Sequence, residues 1–249
     1  MIQPLAHNEL MVMREAGKVA ADVLRSLKKV IKAGISTKDI ETFFDRRLDK
    51  YPAMTAAFKG YSGYPASVCV SLNDEVIHGI PSSERLIEDG DIVSVDLGIK
   101  YKGLFVDTAC TYAVGKVPAL AKKLIKATES ALAVGIKKAK IGLKVGDISS
   151  SIQKSIERKG FSAVRQFVGH GIGRELHLPP EVPNFGEPGS GEELKEGRVI
   201  AIEPMVTVGG YEVEVLADGW TAKTKDGSLS AHIEHTVAIT KKGPLVITQ

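Results

Sequence analysis

The amino-acid sequence predicts a single α+β domain whose two similar halves are related by an internal pseudo-twofold. Three observations predict this class. Apolar residues recur at helical spacing near the start of each half, short β-like runs follow each pair of helices, and three motifs of the first half return in the same order roughly 108 residues later. A chain of 249 residues with 43% hydrophobic content can bury a full core as one domain.

The helices of the first half follow from local patterns. Apolar residues recur at helical spacing over 8–32, with Asn8 as a suitable N-cap and Gly34 as a stop signal. The hydroxyl of Ser36, together with that of the threonine after it, can cap a second helix that carries Asp39 in its first turn.

Short β-like runs follow the helices. In the first half they lie at 66–72, 91–99 and 104–112, and residues 100–103 form a hairpin-like connection between the last two. Past Pro118 the order returns, with helices predicted at about 119–138 and 147–159 and strand-like runs at 198–208, 211–215 and 232–239.

Individual residues repeat as well. The matched residues, in order, are Gly34 and Asp39 with Gly142 and Asp147, Phe58 with Phe167, Asp96 with Glu203, and Asp107 with Glu234. Because the matches keep one order, they indicate a duplicated unit of roughly 110 residues, and two such units are too few for a solenoid. We therefore expect one domain over residues 1–249, with internal halves at about 8–115 and 118–245.

Composition excludes several classes of protein. The formal net charge of +3, from 33 basic and 30 acidic residues, is too small to indicate a nucleic-acid-binding protein, so DNA is not an expected partner. No stretch approaches the roughly 18 apolar residues of a membrane span. The two cysteines fit a reducing compartment and the first residues lack the pattern of a signal peptide, so we expect a cytoplasmic protein.

Lysines cluster at two places, and two interpretations are open. The pattern is typical of a solvated helix face, and the alternative is weak docking to a polyanion such as a ribosome. The clusters are Lys28, Lys29 and Lys32, and Lys137, Lys138 and Lys140.

Four acids lie in repeat register inside otherwise apolar β-like runs, Asp96 with Glu203 and Asp107 with Glu234. Any one of them could face solvent on an edge strand. Four that converge across a pseudo-twofold would repel one another strongly, because a buried carboxylate without a partner is very costly. Two divalent cations would balance the four negative charges, so the pattern predicts a two-metal site.

The expected geometry agrees with this prediction. Asp96 and Asp107 lie on adjacent strands of the predicted hairpin, where facing side chains are roughly 4.5–5.5 Å apart at Cβ. That spacing suits two ions about 3.5–4 Å apart. Oxygen ligands with some imidazole suit Co, Mn, Fe or Zn, which leaves the identity of the metal open.

Among the histidines, His170 is the candidate ligand, because it lies between glycines, where the backbone can turn tightly, just before the second β region. His7 and His232 are interpreted as structural or surface residues. His235 follows Glu234 on the same strand and should point to the other face.

The motifs around these residues resemble those of type I methionine aminopeptidases in their short bacterial form. They cover nearly the whole chain in order: His78-Gly79-Ile80-Pro81, Asp96 with Asp107, Gly169-His170-Gly171-Ile172-Gly173, Ile202-Glu203-Pro204-Met205 and Glu234-His235-Thr236. The resemblance implies the pita-bread (creatinase/aminopeptidase) fold, two αβ halves around a curved antiparallel sheet. It also implies a catalytic domain that removes the initiator methionine from nascent proteins with a small second residue.

The resemblance further implies a role for each site residue. Asp107 and Glu234 would bridge two divalent ions, Asp96 would bind one of them, and His170 and Glu203 would bind the other. Glu203 would also be the proton shuttle. Two further catalytic residues, His78 and His177, would donate hydrogen bonds to the substrate where negative charge develops. The implied partners are N-terminal methionine peptides and nascent chains, and we expect a monomer.

A pocket for an unbranched thioether is implied by Tyr61, Tyr64, Cys69 and Trp220, with Phe58 and Leu176 as neighbouring candidates. The alternative for the aromatic residues is an ordinary core. Many relatives carry an aromatic residue at the position of Leu176. Leucine accommodates methionine but loses a sulfur–aromatic contact worth roughly 0.3–1.5 kcal/mol, so we expect altered affinity with unchanged side-chain preference.

Two other functions are open. Prolidases and proline aminopeptidases share the implied fold, although they usually carry an extra N-terminal domain. A metal-free binding protein on this fold should have lost ligands, and all five are present here. Glu203 and Glu234 are separated by only 31 residues, without the long insertion of type II methionine enzymes, so type I is favoured.

Overall fold

Helix α1 of the computed structural model, which describes residues 3–249, spans His7–Leu27. Asn8 is not its N-cap. Ala6 holds that position, and the Glu9 carboxylate accepts the Ala6 N–H at 2.8 Å. At the other end the N–H of Lys29 turns back to the carbonyl of Ser26, three residues earlier, at 3.0 Å. This tighter turn ends the helix at Leu27, so the prediction of a helix through residue 32 was wrong.

Two of the remaining helices share the capping device of α1, in which the carboxylate three residues after the N-cap accepts the N-cap N–H. Helix α2 spans Thr37–Leu48 with Ser36 as its N-cap, as predicted, and the Asp39 carboxylate accepts the Ser36 N–H at 2.8 Å. Helix α3 spans Ala119–Lys138, in agreement with the sequence. Helix α4 spans Val145–Glu157 and begins two residues earlier than predicted. The Asp147 carboxylate accepts the Lys144 N–H at 2.8 Å. The repeated acids therefore cap equivalent helices.

The strands of the first half centre on one long hairpin. They are β1 Met54–Ala56, β2 Val68–Leu72, β3 Glu75–Ile77, β4 Ile92–Tyr101 and β5 Leu104–Ala113. Strands β4 and β5 pair along their whole length, and β1 and β2 pair with β4. The connection is shorter than predicted, because Lys102 and Gly103, at φ +48° and +79°, make a two-residue turn of the kind that matches strand twist.

The strands of the second half are shorter and more numerous. They are β6 Ser162–Ala163, β7 Gly169–Gly171, β8 Leu178–Val182, β9 Val199–Ile202, β10 Met205–Thr207, β11 Val213–Val215, β12 Ala222–Thr224, β13 Ser230–His232, β14 His235–Thr240 and β15 Gly243–Val246. One sheet has the order β15-β14-β9-β7-β8 and another the order β13-β10-β6. A third, β11-β12-β3, joins strands of both halves.

Two strands predicted as continuous are each divided. Strands β9 and β10 flank Glu203–Pro204, and their partners β14 and β13 flank Ile233–Glu234. Proline has no N–H to donate to a ladder, so regular pairing cannot run through Pro204. The second half thus contains an interrupted version of the β4–β5 hairpin.

Most buried apolar side chains form two large clusters, one mainly of first-half residues and one mainly of second-half residues. Met13, Phe44 and Val95 belong to the cluster between α1, α2 and the β4–β5 hairpin. Leu124 and Ile202 belong to the cluster that α3 and α4 form with the strands of the second half. The α+β class is confirmed. Within residues 3–249, none of the helices is long and apolar enough to cross a membrane.

Candidate active site

Asp96 on β4 and Asp107 on β5 project from one face of the long hairpin. Asp96 pairs with Ala109 and Asp107 with Gly98, so the two acids are diagonal neighbours. The sequence had suggested that they face each other directly, and that detail was wrong. Diagonal side chains remain within reach of one another. Gly98 also makes room for the pocket, because a Cβ at this position would lie 2.7 Å from Cε1 of Phe58.

Glu203 and Glu234 occupy the two interruptions of the second hairpin, where their main-chain groups bond outside the regular ladder. The N–H of Glu234 donates to the carbonyl of Ala109 on β5 at 3.0 Å. The carbonyl of Glu203 accepts from Nδ2 of Asn184 at 3.1 Å. The breaks therefore turn both glutamates toward the hairpin of the first half while their backbones stay hydrogen-bonded.

Threonine hydroxyls join the two halves beside these acids. Oγ1 of Thr236 accepts the N–H of Asp107 at 2.9 Å and donates to the Asp107 carbonyl at 2.7 Å. Oγ1 of Thr108 donates to the carbonyl of Glu234 at 2.8 Å. Both threonine side chains are fully buried. The backbones of Asp107 and Glu234, which the repeat pairs, are thus held across the junction between halves.

His170 lies on β7 with Nδ1 2.9 Å from the carbonyl of Gly171. Since a carbonyl only accepts, Nδ1–H is the donor and Nε2 of the neutral ring is left with a free lone pair. Nε2 is 3.6 Å from Oε1 of Glu203 and 4.0 Å from Oδ2 of Asp107. Burial, with a smaller contribution from His177, lowers the pKa of His170 to about 3 and keeps the ring neutral.

The glycines beside His170 serve close packing and not a tight turn, which corrects the sequence prediction. Residues 169–171 are extended strand. A Cβ on Gly169 would lie 2.4 Å from the carbonyl oxygen of Ala201, and one on Gly171 would lie 2.2 Å from that of Pro179. These positions accept no side chain because neighbouring backbone lies directly against them.

Burial raises the pKa of all four carboxylates, and the charges of neighbouring carboxylates raise that of three of them further. Burial, followed by the charges of Asp107 and Glu203, raises the pKa of Asp96 well above its usual range. Burial and then Asp107 raise the pKa of Glu203. Burial, followed by the charges of Asp107, Glu203 and Asp96, raises the pKa of Glu234. Burial also raises the pKa of Asp107. Carboxylates placed so close together need positive charge to be ionised at once.

The donor atoms fit a divalent cation. Ligand atoms of Asp107, His170 and Glu234 all lie within 4.8 Å of one another. Oδ1 of Asp96, Oδ1 of Asp107 and Oε1 of Glu234 are buried and have no hydrogen-bond partner among residues 3–249. Unpartnered carboxylate oxygens beside an imidazole lone pair suit first-row divalent ions.

One cavity of about 160 Å³ contains all of the predicted site residues. The sequence had not suggested Ser62, which also lines it. The lining residues are Phe58, Tyr61, Ser62, Tyr64, Cys69, His78, Asp96, Asp107, His170, Leu176, His177, Glu203, Trp220 and Glu234.

The apolar wall of the cavity is fixed by aromatic contacts. The rings of Tyr64 and Trp220 meet edge to face at 5.1 Å. The Tyr64 hydroxyl lies 3.1 Å from the carbonyl oxygens of both Val68 and Gly79. Leu176 is buried, and burial raises the pKa of the Cys69 thiol well above its usual range, so Cys69 contributes a neutral surface. These groups form a pocket without charge beside the acids.

Two more imidazoles face the cavity. Nδ1 of His177 is 2.9 Å from the Tyr61 hydroxyl, and the His177 ring centroid is 4.2 Å from that of His170. His78 has φ +60°, a left-handed conformation that costs free energy in any residue but glycine. Burial and then His177 lower the pKa of His78 to about 4. Burial also lowers the pKa of His177, so both side chains are neutral hydrogen-bonding groups near pH 7.

His232 corrects the sequence interpretation of a surface or merely structural residue. Its side chain is buried, and Nε2 lies 3.6 Å from Oε2 of Glu203. Strand alternation could have found it, because residues two apart share a face and Glu234 is two residues on. His235 points away as predicted, with Nδ1 3.0 Å from Oγ1 of Thr248.

Residues 12–241 match the model of metallopeptidase family M24. The chain belongs to this family. Its M24 relatives include the methionine aminopeptidase of Clostridium acetobutylicum, 49% identical over 240 residues that make up 96% of each chain. Methionine aminopeptidase 1 of Bacillus subtilis is 47% identical over 97% of this chain and 96% of its own. The resemblance inferred from the motifs is thereby confirmed.

Solved M24 structures agree with the fold. The methionine aminopeptidase of Thermotoga maritima superposes with a TM-score of 0.98 at 46% identity, and the match covers both chains completely. A prolidase from Pyrococcus furiosus reaches a TM-score of 0.79 at 22% identity over 99% of this chain and 65% of its own, a likeness that concerns the fold alone. The pita-bread fold is confirmed, and the family assignment makes this M24 member a metal-dependent hydrolase.

Proposed function

We propose that the chain is a methionine aminopeptidase that binds two divalent metal ions and removes the initiator methionine from nascent proteins with a small second residue. The observation that carries the proposal is that the predicted site residues come together in the structure. Each acid, histidine and pocket residue that the motifs single out lines one cavity. Relatives that match nearly the full length of the chain are methionine aminopeptidases.

Five side chains would hold the ions. Asp107 and Glu234 each have a buried oxygen without a partner, and both would contact the two ions. Asp96 would complete one ion, and His170 and Glu203 the other. The lone pair at Nε2 of His170 and its 3.6 Å distance from Oε1 of Glu203 support that pairing. The donor set suits Co, Mn, Fe or Zn.

The residues of the chain divide the chemistry among them. When bound, the ions supply Lewis acidity toward a peptide carbonyl and lower the pKa of a water molecule. Glu203 accepts the proton of the attacking water and delivers it to the amine of the departing peptide.

His177 and His78 stabilise the negative charge that develops on the substrate carbonyl. If the Tyr61 hydroxyl donates to Nδ1 of His177, the proton of the neutral ring lies on Nε2 and can donate to a substrate oxygen. His78 is buried beside Trp220, with ring centroids 6.4 Å apart, which fixes its orientation. Donors that are positioned before the reaction lose little free energy to reorganisation.

The neutral wall selects the side chain of the first residue. Tyr64, Cys69, Leu176 and Trp220 offer apolar or neutral surface and no charged group, so an unbranched thioether fits better than a charged side chain. A buried charge without a partner would be strongly disfavoured there.

A peptide assay tests the proposal. The protein loaded with Co²⁺ or Mn²⁺ should release methionine from Met-Ala-Ser and leave a matched X-Pro peptide intact. Cleavage of the X-Pro peptide alone would indicate a proline-type peptidase. Metal binding without cleavage of either peptide would indicate a binding protein on this fold and would reject the proposal.

Further predictions accompany this function. We propose that residues 1–249 act as one catalytic domain, that the protein is a monomeric cytoplasmic enzyme, and that nascent chains are its partners. The lysine clusters are exposed at equivalent ends of α1 and α3, a location open to weak docking on the ribosome. Co-sedimentation with ribosomes at low and high salt would test this docking, because surface electrostatic contacts weaken as salt is added.

A further inference from the structure

The carboxylate of Glu203 lies between two imidazoles. Oε1 is 3.6 Å from Nε2 of His170, and Oε2 is 3.6 Å from Nε2 of His232. His170 lines the cavity, whereas His232 is absent from its lining and lies behind the carboxylate. One oxygen of Glu203 therefore faces the candidate metal ligand while the other faces a histidine that the proposed mechanism does not use.

The main chain of His232 is held firmly in place. Oγ1 of Thr111 accepts the His232 N–H at 3.0 Å and donates to the His232 carbonyl at 2.7 Å. Oγ1 of Thr111 is in turn 2.8 Å from Oγ of Ser94. These contacts fix the backbone of His232 relative to the long hairpin of the first half. The Cα position from which the His232 ring projects toward Glu203 is therefore well defined.

The ring of His232 also needs a partner. Its side chain is buried, and neither ring nitrogen has a hydrogen-bond partner among residues 3–249. A buried polar atom without a partner is costly, and such atoms in native proteins are nearly always paired. Oε2 of Glu203 is a carboxylate oxygen within 3.6 Å of this ring.

We propose that His232 is a positioning residue that donates a hydrogen bond from Nε2 to Oε2 of Glu203 and so directs Oε1 toward His170 and the cavity. The inference rests on the proposed function, in which Glu203 is both ligand and proton shuttle. At 3.6 Å the atoms are in contact but not hydrogen-bonded, and a shift of about 0.7 Å would give an ordinary bond. Asn184 holds the Glu203 carbonyl at 3.1 Å, so rotation of the side chain supplies the shift.

The proposed bond requires the neutral ring to carry its proton on Nε2, because in the other tautomer Nε2 only accepts. With Oε2 tied to His232, the Glu203 carboxylate cannot rotate freely between its two neighbours. Partners of metal ligands that fix orientation in this way commonly change metal affinity or activity by about 10–100-fold when removed. His232→Leu should therefore affect both properties.

Two variants separate positioning from packing. His232→Leu removes the donor and fills its place with an apolar side chain, whereas His232→Gln keeps an N–H donor of similar reach. His7→Gln, at the exposed start of α1, is the control for loss of a histidine. Each protein is measured for Mn²⁺ affinity by calorimetry, for kcat and KM on Met-Ala-Ser, and for Tm.

We expect His232→Leu to lower Mn²⁺ affinity and kcat by about 10–100-fold with KM changed less than about twofold, and His232→Gln to restore most of both. Equal impairment of the two variants together with a lowered Tm would assign His232 to packing and overturn the proposal. Unchanged affinity and kcat in both variants would also overturn it. If the parent binds Mn²⁺ but releases no methionine, the proposed function fails, and the affinities still test the role of His232.

Discussion

Thr236→Val would test how the two halves hold the acids in place. Oγ1 of Thr236 makes hydrogen bonds of 2.9 and 2.7 Å with the N–H and carbonyl of Asp107, and the side chain is fully buried. Valine has nearly the same shape but neither donates nor accepts. An unsatisfied buried group costs about 1–3 kcal/mol, so two orphaned groups cost about 2–6 kcal/mol. After partial recovery from the added methyl group, we expect a loss of about 2–4 kcal/mol.

Thermal unfolding is the assay, and Thr128→Val is the matched control. For a chain of this size each kcal/mol corresponds to a Tm shift of about 2–4 °C, so Thr236→Val should unfold about 4–16 °C below the parent. Thr128 is equally buried, but its hydroxyl donates only to the carbonyl of Leu124 one turn earlier in α3, at 3.0 Å. Its replacement should cost about 1 kcal/mol or less.

A second measurement ties stability to the site. Because Thr236 holds the backbone of Asp107, Thr236→Val should weaken Mn²⁺ binding, whereas Thr128→Val should leave it unchanged. Equal destabilisation in the two variants would refute the reasoning that the Thr236 hydroxyl satisfies the Asp107 backbone across the junction.

Three further outcomes follow from individual residues. Leu176→Phe adds a sulfur–aromatic contact, so KM for methionyl peptides should fall by about 2–10-fold with the preference for methionine retained, and an unchanged KM would contradict this. Hydrogen bonds from Ser36 lower the pKa of Asp39, so its stabilisation is present above the unfolded pKa of about 3.9 and is lost as pH falls through the lower folded value. The loss of unfolding free energy in Asp39→Asn, about 1 kcal/mol or less for this exposed group and followed through Tm, should be complete near pH 6 and vanish at about pH 2. A loss that grows toward acid would be inconsistent with this sign. Burial and His177 lower the pKa of His78 to about 4, so His78→Gln should lower kcat without moving any inflection of the pH–rate profile between about pH 5 and 9. The loss of an inflection near pH 6.5 in that variant would show that His78 titrates there.

The acids of the site could be predicted because each charged side chain lies within an otherwise apolar stretch of sequence. Asp96 and Glu203 lie at matching positions of apolar runs. Burial of unpaired carboxylates is so unfavourable that their positions indicate a shared binding site for cations. The two-helix pattern of each half was equally accessible, since α2 and α4 begin at repeated capping acids. Patterns of burial and capping are local in the sequence, so they can be recognised without knowledge of the tertiary structure.

Features that depend on contacts between residues distant in the sequence were not accessible. The apolar pattern continues through 198–208 and 232–239, so only Pro204 gave a sign that the second hairpin is interrupted. His232 lies two residues before Glu234, but nothing local indicates that Glu203 lies against it. Helix α1 was extended too far because Ile31 continues the apolar period and is half-buried, although the chain has already left the helix.

The number of ions bound by the metal-stripped protein tests the metal centre most directly. Titration with Mn²⁺ in a calorimeter should give two ions per chain, and Asp107→Asn should lose both along with methionine release from Met-Ala-Ser. A parent that saturates with a single ion, or an Asp107→Asn variant that still binds two, would contradict a two-metal centre bridged by Asp107.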